Sequence, residues 1–338
     1  MTKPLILAIE TSCDDTSAAL VDGHCNVLSN VISSQEEVHL KYGGVVPELA
    51  SREHIRTLIP IVELVLEKAR IKINDIDAIA VSANPGLIGS LLVGVSFAKG
   101  LAFSLKKPLI AVNHIFGHVF ANFLEHKDIE FPFLALIVSG GHTELVIFTS
   151  SVDYEVLGKT VDDAAGEAFD KIGKLLGLQY PGGPHVDNLA QAGQSEVIEF
   201  PLPMLKHDTF DFSFSGLKTA GMLYLKEKGE LAGEELHDFA ASFQHAIVEV
   251  LFQKTIRALE ENGLTSLLLA GGVAANSALR KKFNEYCNDH HIKLHYPSTL
   301  FCTDNAAMIG AAAQFKYKNK KFASLDLNAS AVKGMKFL

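Results

Sequence analysis

The sequence predicts an α/β protein built from two lobes that repeat one topology. Three kinds of element recur in the same order in the two halves of the chain: a β-hairpin, a long amphipathic helix, and a short strand that enters a helix through a Gly-rich turn. One such repeated element could arise by chance more easily than three in the same order. We therefore expect a duplicated fold whose two lobes face each other across a cleft lined by the glycine turns.

The hairpins are the first repeated element. Residues 5–22 have the pattern of an apolar strand, a polar turn rich in Thr, Ser and Asp, and a second strand. Residues 133–149 have the same layout with a glycine turn. Short apolar runs bounded by turn residues are typical of strands, so each half is expected to begin its sheet with a hairpin.

The long helices and the strand-turn-helix units complete the repeat. Amphipathic helices are predicted at 47–70, with Pro47 near the start, and at 235–261. A strand followed by a Gly-rich turn and a helix is predicted at 76–102 and again at 264–283. The order of elements is therefore the same in both halves, although the residues differ.

The remaining segments set the expected domain boundaries. We expect a first lobe at 1–110 and a second lobe at 111–303, with a helical insertion at about 155–230 that has no counterpart in the first half. The tail from about 304 to 330 contains a helix whose small residues suit tight packing. We expect this helix to return to the first lobe.

Composition and charge exclude several classes of protein. Hydrophobic residues make up 48% of the chain and charged residues 20%, as in globular proteins. We expect no apolar run that approaches the roughly 18 residues of a membrane span, and Glu10, Asp14 and Asp15 do not suit a signal peptide. We therefore expect a cytoplasmic protein without membrane contact. The net charge of −9 argues against coating of nucleic acid by bulk electrostatics.

Glycine turns at helix starts indicate binding of an anion. Such turns occur at 139–141, 181–183, 271–272 and 84–86. Their outward amide groups and the helix dipole favour negative charge, so we expect a nucleotide or phosphate ester in the cleft. Neither a Walker A sequence nor a GxGxxG turn after a strand is present, which excludes those two binding schemes.

Acidic residues crowd one face of the first helix of the insertion. Asp163, Glu167 and Asp170 are four and three residues apart. Like charges at this spacing need compensation from a cation, ribose hydroxyls or a basic group of a partner. The alternative is that they cap the helix and face solvent.

His114 and His118 are candidate metal ligands. They are four residues apart just after the apolar run 108–112, so on a helix both imidazoles can point at one cation. Packing and surface roles are the alternatives at this spacing. Asp304, at a predicted strand-to-helix junction, is the best placed third ligand, and we expect it to come from the other lobe. Such a group leaves positions open and suits Fe²⁺ or Zn²⁺ as a Lewis acid.

A series of short strings covers the chain from about Leu5 to the tail helix. The strings are IETSCDDTS (9–17), YGGVVPELASREH (42–54), NPGLIGSLLVG (84–94), NHIFGH (113–118), VSGGHTEL (138–145), DDAAGEAFDK (162–171), YPGGP (180–184), DFSFSGLKT (211–219), AGGVAAN (270–276) and CTDN (302–305). With these strings in this order, the chain resembles the TsaD family of bacterial tRNA threonylcarbamoyladenosine transferases, formerly named O-sialoglycoprotein endopeptidases. That family has the duplicated actin-like, Hsp70-like, sugar-kinase (ASKHA) fold with two lobes around a nucleotide cleft.

The resemblance implies a reaction. A threonylcarbamoyl group would pass from threonylcarbamoyl-AMP to the exocyclic amine of the adenosine next to the anticodon, in tRNAs that read codons beginning with A. The implied partners are tRNA, the TsaB paralogue and the TsaE ATPase. Since the chain is acidic, tRNA binding is expected to be shared with those subunits.

The resemblance also implies roles for residues of this chain. His114, His118 and Asp304 would hold one metal ion per subunit, iron or alternatively zinc. Glu10 and Asp14, in the turn of the first hairpin, are expected to position groups or to accept a proton. The family usually has Glu where this chain has Asp15. The adenylate would contact Ile137, Val138, Ser139, Gly140, Gly141, Asp170, Gly183, Asp187 and Asn276.

Three other functions are alternatives. A small-molecule kinase of the same fold would fit the phosphate turns, but kinases bind Mg²⁺ mainly through substrate phosphates rather than through a His, His, Asp group. A metalloendopeptidase of the HExxH type carries its general-base Glu after the first His, where this chain has Ile115. The third alternative is a scaffold protein that binds nucleotide only to regulate the assembly of its partners.

Overall fold

Two five-stranded mixed sheets organise the protein, whose structure, a computed structural model, describes residues 4–42 and 44–331. Gly43, in the string 42–54, lies outside the described residues. Each sheet belongs to one compact unit. Unit 1 consists of the described parts of Met1–Ile129 and Thr303–Leu338, and unit 2 is Glu130–Cys302. The first change of unit thus lies after Ile129, later in the chain than the predicted boundary at residue 110.

The two sheets have the same topology, which confirms the predicted duplication. In each, three strands form an antiparallel meander, and two later strands pair in parallel beside the first. The strand orders are β3-β2-β1-β4-β5 and β8-β7-β6-β9-β10. In unit 1 the strands are β1 Ile6–Glu10, β2 Thr16–Val21, β3 Val27–Ser33, β4 Ala78–Asn84 and β5 Leu109–Asn113. In unit 2 they are β6 Phe133–Val138, β7 Thr143–Phe148, β8 Tyr154–Lys159, β9 Ser266–Ala270 and β10 Lys293–His295.

Each meander has a third strand that the sequence did not predict. β3 is only partly buried, and most of β8 is exposed or half-buried. Edge strands that face water carry polar residues, so their apolar pattern is weak. β8 occupies the first residues of the range predicted as a helical insertion, and the helices of that range begin at Ala165.

The helices agree with the predicted repeat. The long helices after the two meanders are α2 and α9, and the helices after the glycine turns are α3 and α10. In unit 1 the helices are α1 Glu36–Leu40, α2 Pro47–Ala69, α3 Ile88–Leu105, α4 His114–Phe120, α5 Asn122–Glu125 and α12 Ala306–Lys318. In unit 2 they are α6 Ala165–Leu175, α7 Gly182–Ala190, α8 Ser215–Lys228, α9 Gly233–Glu261, α10 Ser277–Asp289 and α11 Thr299–Cys302.

The tail helix α12 packs on the sheet of unit 1, as predicted. It contacts β1, β2 and β5 as well as α4. A Cβ atom added at Gly310 would lie 2.4 Å from Val21 Cγ2, so the absence of a side chain lets the helix approach the sheet closely. This packing brings the start of α12 to the same unit as α4.

One helix is apolar and long enough to cross a membrane by length and composition. α3 has 18 residues with a mean hydropathy of 1.7, so the expectation that no apolar run approaches this length is wrong. α3 packs against β4 and α2, and its buried side includes Leu91, Val95 and Ala98. Core helices of globular proteins pass the same test, so α3 is weak evidence for a membrane span.

Candidate metal site and nucleotide-binding turns

The two candidate histidines lie on one short helix, as their spacing predicts. β5 ends at Asn113, whose side-chain oxygen accepts hydrogen bonds from the amides of Ile115 at 2.9 Å and Phe116 at 3.2 Å. This cap starts α4 at His114. The rings of His114 and His118 are 4.7 Å apart between centroids, with an angle of 81° between their planes. Both rings are buried.

Asp304 completes the group from the residue before the cap of α12. Its Oδ1 lies 3.2 Å from His118 Nε2 and 3.5 Å from His114 Nε2. α12 reaches α4 closely because position 117 is glycine: a Cβ there would be 2.9 Å from Ile309 Cδ1. All three residues belong to unit 1, whereas we expected the carboxylate to come from the other lobe. The pairing of β5 with β4 keeps α4 in unit 1.

The geometry of the three residues fits a metal ion. Atoms bound to one ion at about 2.1 Å, with tetrahedral angles, lie about 3.4 Å apart, close to the distances between the nitrogens and Asp304 Oδ1. Within the described residues, His118 Nδ1 has no hydrogen-bond partner, and Nε2 faces only the Asp304 carboxylate, although the side chain is 2% exposed. A buried imidazole seldom stays without a partner. His114, His118 and Asp304 are therefore a group that could hold a metal ion.

Negative charge accumulates around this group. Burial lowers the pKa of His114, but the carboxylates of Asp304 and Glu10 outweigh this effect and raise the pKa to about 9. Burial, with the charges of Asp304 and Asp14, raises the pKa of Asp15 to about 7. Several carboxylates in a partly buried place repel one another unless a cation is present. The surroundings of the group therefore favour a positive ion.

Glu10 and Asp14 lie in different environments. Glu10, at the end of β1, is 1% exposed, and its Oε2 lies 3.0 Å from Nδ1 of His114. Asp14 is half-buried in the turn between β1 and β2. Of the two acids expected to position groups or to accept a proton, Glu10 is enclosed in unit 1 beside a histidine, and Asp14 has solvent access.

In unit 2 the glycine turns lie close to one another. β6, which contains Ile137 and Val138, leads into the turn 139–141, and a Cβ at Gly166 in α6 would be 2.5 Å from the Ser139 carbonyl oxygen. A Cβ at Gly271 would likewise be 2.5 Å from the Val138 carbonyl oxygen, and Gly271 has φ +90°. The start of α6 and the turn after β9 can meet the turn 139–141 only because both positions lack side chains.

The other residues predicted to contact an adenylate are connected through α7. Asp170 Oδ1 accepts a hydrogen bond from the Gly182 amide at 2.8 Å, so the protein's own carboxylate occupies this predicted anion site. Burial raises the pKa of Asp170, and the amides of Gly182 and Gly183 partly offset this effect. Further along α7, Asp187 accepts hydrogen bonds from the amide of Ser277 at 3.0 Å and its hydroxyl at 2.7 Å.

Asn276 lies directly before Ser277. Its side-chain oxygen accepts a hydrogen bond from the amide of Leu279 and caps α10, while its amide group donates to Gln244 at 2.7 Å. Asp170, Gly183, Asp187 and Asn276 are thus brought together around α7 within unit 2. Whether they contact a nucleotide stays a prediction.

Lysines compensate the acidic face of α6. Asp163 accepts hydrogen bonds from Lys171 at 3.0 Å and Lys218 at 2.6 Å, and Glu167 pairs with Lys171 at 2.7 Å. Burial raises the pKa of Asp163, but these two lysines outweigh this effect and hold the pKa below its usual value. The sequence suggested a cation, ribose hydroxyls or a partner's basic group, whereas the structure has lysines of the same chain against these acids.

Comparison with known proteins places the chain among tRNA-modifying enzymes. The family model of TsaD, tRNA N6-adenosine threonylcarbamoyltransferase, matches residues 26–311. The chain belongs to the TsaD family. A family member from Clostridioides difficile strain 630 is 52% identical over 331 residues, which cover 97% of this chain and 98% of that protein. One from Clostridium perfringens strain ATCC 13124 is 52% identical over 331 residues, with 97% of each chain covered. Both bear the same name as the family.

The fold is shared more widely than the sequence. Full-length HypF, in a phosphate- and nucleotide-bound form, superposes with a TM-score of 0.63 at 16% identity, covering 95% of this chain and 47% of that one. Similarity at this identity shows the fold alone. Together with the two sheets of equal topology, it confirms the duplicated ASKHA fold that the family resemblance implies.

Family membership also decides among the alternative functions. The names of the close relatives support a transferase and support neither a kinase nor a peptidase. Ile115, at the position of a peptidase's general base, is fully buried and carries no acid.

Two residues of the metal group's surroundings were missed from the sequence. Ser12 Oγ lies 3.0 Å from His114 Nδ1, and Ser82 Oγ donates to Glu10 Oε1 at 3.0 Å. Ser82 belongs to β4, which pairs with β1 in parallel. Polar residues near the carboxyl ends of neighbouring parallel strands are a signal for a site, and Ser82 could have been found on that basis.

Proposed function

We propose that this protein is a metal-dependent acyltransferase that moves a threonylcarbamoyl group from threonylcarbamoyl-AMP to the exocyclic amine of adenosine next to the anticodon in tRNA. The acceptor tRNAs are those that read codons beginning with A. The observation that carries the proposal is the convergence of His114, His118 and Asp304 in a chain of the TsaD family. The reaction places the protein in the cytoplasm.

The metal group supplies activation of the acyl donor. Two imidazole nitrogens and one carboxylate oxygen suit Fe²⁺, with Zn²⁺ as the alternative, and leave coordination positions for a substrate. A bound ion would act as a Lewis acid on the carbamoyl oxygen of the donor. Two asparagine caps hold these ligands in place. Asn113 fixes the start of α4. Asn305 fixes the start of α12, because its side chain accepts a hydrogen bond from the amide of Met308 at 3.0 Å.

Unit 2 supplies binding of the adenylate. The turn 139–141 presents backbone amides after a buried strand, and such amides stabilise the charge of a phosphate without reorganisation. Asp187 and Asn276 lie beside the start of α10, and we propose that they contact the nucleoside. Asp170 acts by holding the first turn of α7, which carries Gly183.

The acceptor amine needs positioning and a route for its proton. Asp14 is the proton acceptor we favour, because it is half-buried in the same turn as Ser12, which contacts His114, while Glu10 is enclosed. Holding the amine next to the acyl carbon would supply much of the rate enhancement.

Partner subunits share the binding of tRNA. A net charge of −9 gives the chain little bulk attraction for a polyanion, so we propose that a TsaB-type paralogue and a TsaE-type ATPase contribute. The neighbouring helices α2 and α3 support a protein partner, since they expose Ile55, Ile59, Leu92 and Phe103 to solvent. Exposed apolar residues of this kind mark interaction sites when they are concentrated on one surface.

The proposal is tested by depleting the protein in its own host and measuring threonylcarbamoyladenosine in bulk tRNA by liquid chromatography and mass spectrometry. Modification should fall, and expression of the wild-type chain should restore it. His114→Ala should not restore it, whereas His24→Ala, at an exposed histidine of unit 1, should. Unchanged modification after depletion would overturn the proposed function.

A further inference from the structure

Glu10 makes a contact that its predicted role as a proton acceptor does not explain. Its Oε2 lies 3.0 Å from Nδ1 of His114, on the side of the ring opposite the Nε2 atom that faces Asp304. The carboxylate is 1% exposed. A group so enclosed is poorly placed to receive a proton from a tRNA base, and the imidazole ring that it contacts belongs to a candidate ligand.

The contact between Glu10 and His114 determines which nitrogen of the imidazole carries the proton. A carboxylate only accepts hydrogen bonds, so the Nδ1 atom that approaches Glu10 must be the protonated nitrogen. Ser12 Oγ, also 3.0 Å from Nδ1, can then act only as a second acceptor. Neutral His114 therefore has its lone pair on Nε2, which is the form that a metal ion binds. His118 has no such partner at Nδ1 within the described residues.

Glu10 is itself held by two donors. Its Oε1 accepts hydrogen bonds from the Ser12 amide and from the hydroxyl of Ser82 at 3.0 Å. Ser82 is fully buried on β4 and in turn accepts the Thr11 amide at 3.3 Å. One oxygen of the carboxylate is thus bound to the backbone and to Ser82, which leaves the other for the histidine.

We propose that Glu10 and Ser82 are positioning residues that keep the proton of His114 on Nδ1 and direct its Nε2 to the metal ion. The inference rests on the proposed metal site but not on the identity of the substrate. Partners of this kind, behind a metal-binding histidine, set ligand orientation and typically change metal affinity about ten- to hundredfold. Neither residue touches substrate in this account.

Zinc affinity of the full-length protein tests the inference, measured by competition with a chromogenic chelator. Glu10→Gln keeps the shape but gives a side chain that can donate as well as accept, and it should weaken zinc binding about ten- to hundredfold. Ser82→Ala should weaken it in the same direction by a smaller factor. Glu37→Gln, at an exposed residue of α1, is the matched control and should bind zinc as the wild type does. If Glu10→Gln does not fold, Ser82→Ala decides alone.

A spectroscopic measurement separates positioning from a general loss of structure. In zinc-loaded protein labelled with nitrogen-15 histidine, His114 should show a proton bonded to Nδ1, and Glu10→Gln should lose or broaden this signal. If Glu10→Gln has the same zinc affinity and the same Nδ1 signal as Glu37→Gln, the inference is overturned, even if the wild type transfers threonylcarbamoyl. A wild type with the signal but without transfer activity would instead contradict the proposed function and leave the inference standing.

Discussion

Asp304 Oδ1 lies 3.2 Å from Nε2 of His118, although the two residues are far apart in the sequence. The contact arises because α12 packs against α4 at Gly117, the helix position where a side chain would collide with Ile309. The metal group is therefore a product of helix packing within unit 1. Its integrity can be tested separately from the nucleotide turns of unit 2.

Asp304→Asn should lose bound metal while the protein remains folded. The substitution keeps the shape of the side chain but removes the negative charge of the carboxylate that lies beside two buried imidazoles. Metal content of anaerobically purified protein, measured by mass spectrometry, should fall to background. Asp75→Asn, at an exposed acid of the same unit, should retain the metal. Equal metal content in the two variants would show that Asp304 is not a ligand.

Gly166→Ala should disrupt the turn 139–141. The added Cβ would lie 2.5 Å from the Ser139 carbonyl oxygen and 2.8 Å from backbone atoms of Gly140, so the start of α6 must move. We expect a loss of about 1–3 kcal/mol in the free energy of unfolding and weaker binding of a non-hydrolysable adenylate.

Gly216→Ala is the matched control for this change. Gly216, like Gly166, is the second residue of its helix, but nothing lies within 4 Å of its added Cβ. It should keep wild-type adenylate affinity and be neutral or slightly more stable, because Ala restricts the unfolded chain. If the two variants behave alike, close packing of α6 on the turn does not matter for binding.

The stability of the protein should rise with pH through the titration of Lys316. Its ammonium donates to the Ala111 carbonyl at 2.7 Å, and burial, with the charge of Lys321, lowers its pKa to about 8. Between about pH 8 and 10.5 the unfolded chain therefore binds more protons than the folded one. The free energy of unfolding gains up to about 3 kcal/mol from this residue over that range.

Urea denaturation of wild type and Lys316→Met at several pH values measures this contribution. Other groups titrate in the same range in both proteins, so the difference between the two curves isolates Lys316. The Met variant should show the smaller rise. Parallel curves would mean that Lys316 keeps an ordinary pKa in the folded protein.

Substitutions on the solvent side of α2 and α3 should weaken the proposed protein partnership. Ile59→Arg and Phe103→Arg place a charge on side chains that are 54% and 70% exposed, so the fold should persist. Affinity for a purified TsaB-type paralogue, measured by calorimetry, should fall at least about tenfold, as for central interface residues. Met222→Arg, on α8 of unit 2, is the control at another exposed apolar residue. Wild-type affinity in both test variants would exclude this surface as the partner's site.

The sequence predicted the elements that depend on local pattern. Both long helices, the strands before the glycine turns, and His114 and His118 on one helix follow from periodicity and spacing, and the structure has them where expected. β3 and β8 were missed because edge strands carry polar residues, which weaken the alternating or apolar signal.

Contacts between distant segments could not be predicted in the same way. Glu10 was expected to position groups or to accept a proton, but its contact with His114, which arises from the pairing of β1 with β4 and the start of α4, was not foreseen. Lys218 neutralises Asp163 from 55 residues away. Such partners follow from tertiary packing, which a single sequence does not reveal.

The most direct test of the central claim is a reconstituted transfer assay with metal-stripped and metal-reloaded protein. Threonylcarbamoyl-AMP, an acceptor tRNA and the partner subunits are supplied, and threonylcarbamoyladenosine is measured by mass spectrometry. Modification should require the reloaded wild-type chain and should be absent with Asp304→Asn. Full modification by the metal-stripped protein, or by Asp304→Asn, would contradict a transferase that works through His114, His118 and Asp304.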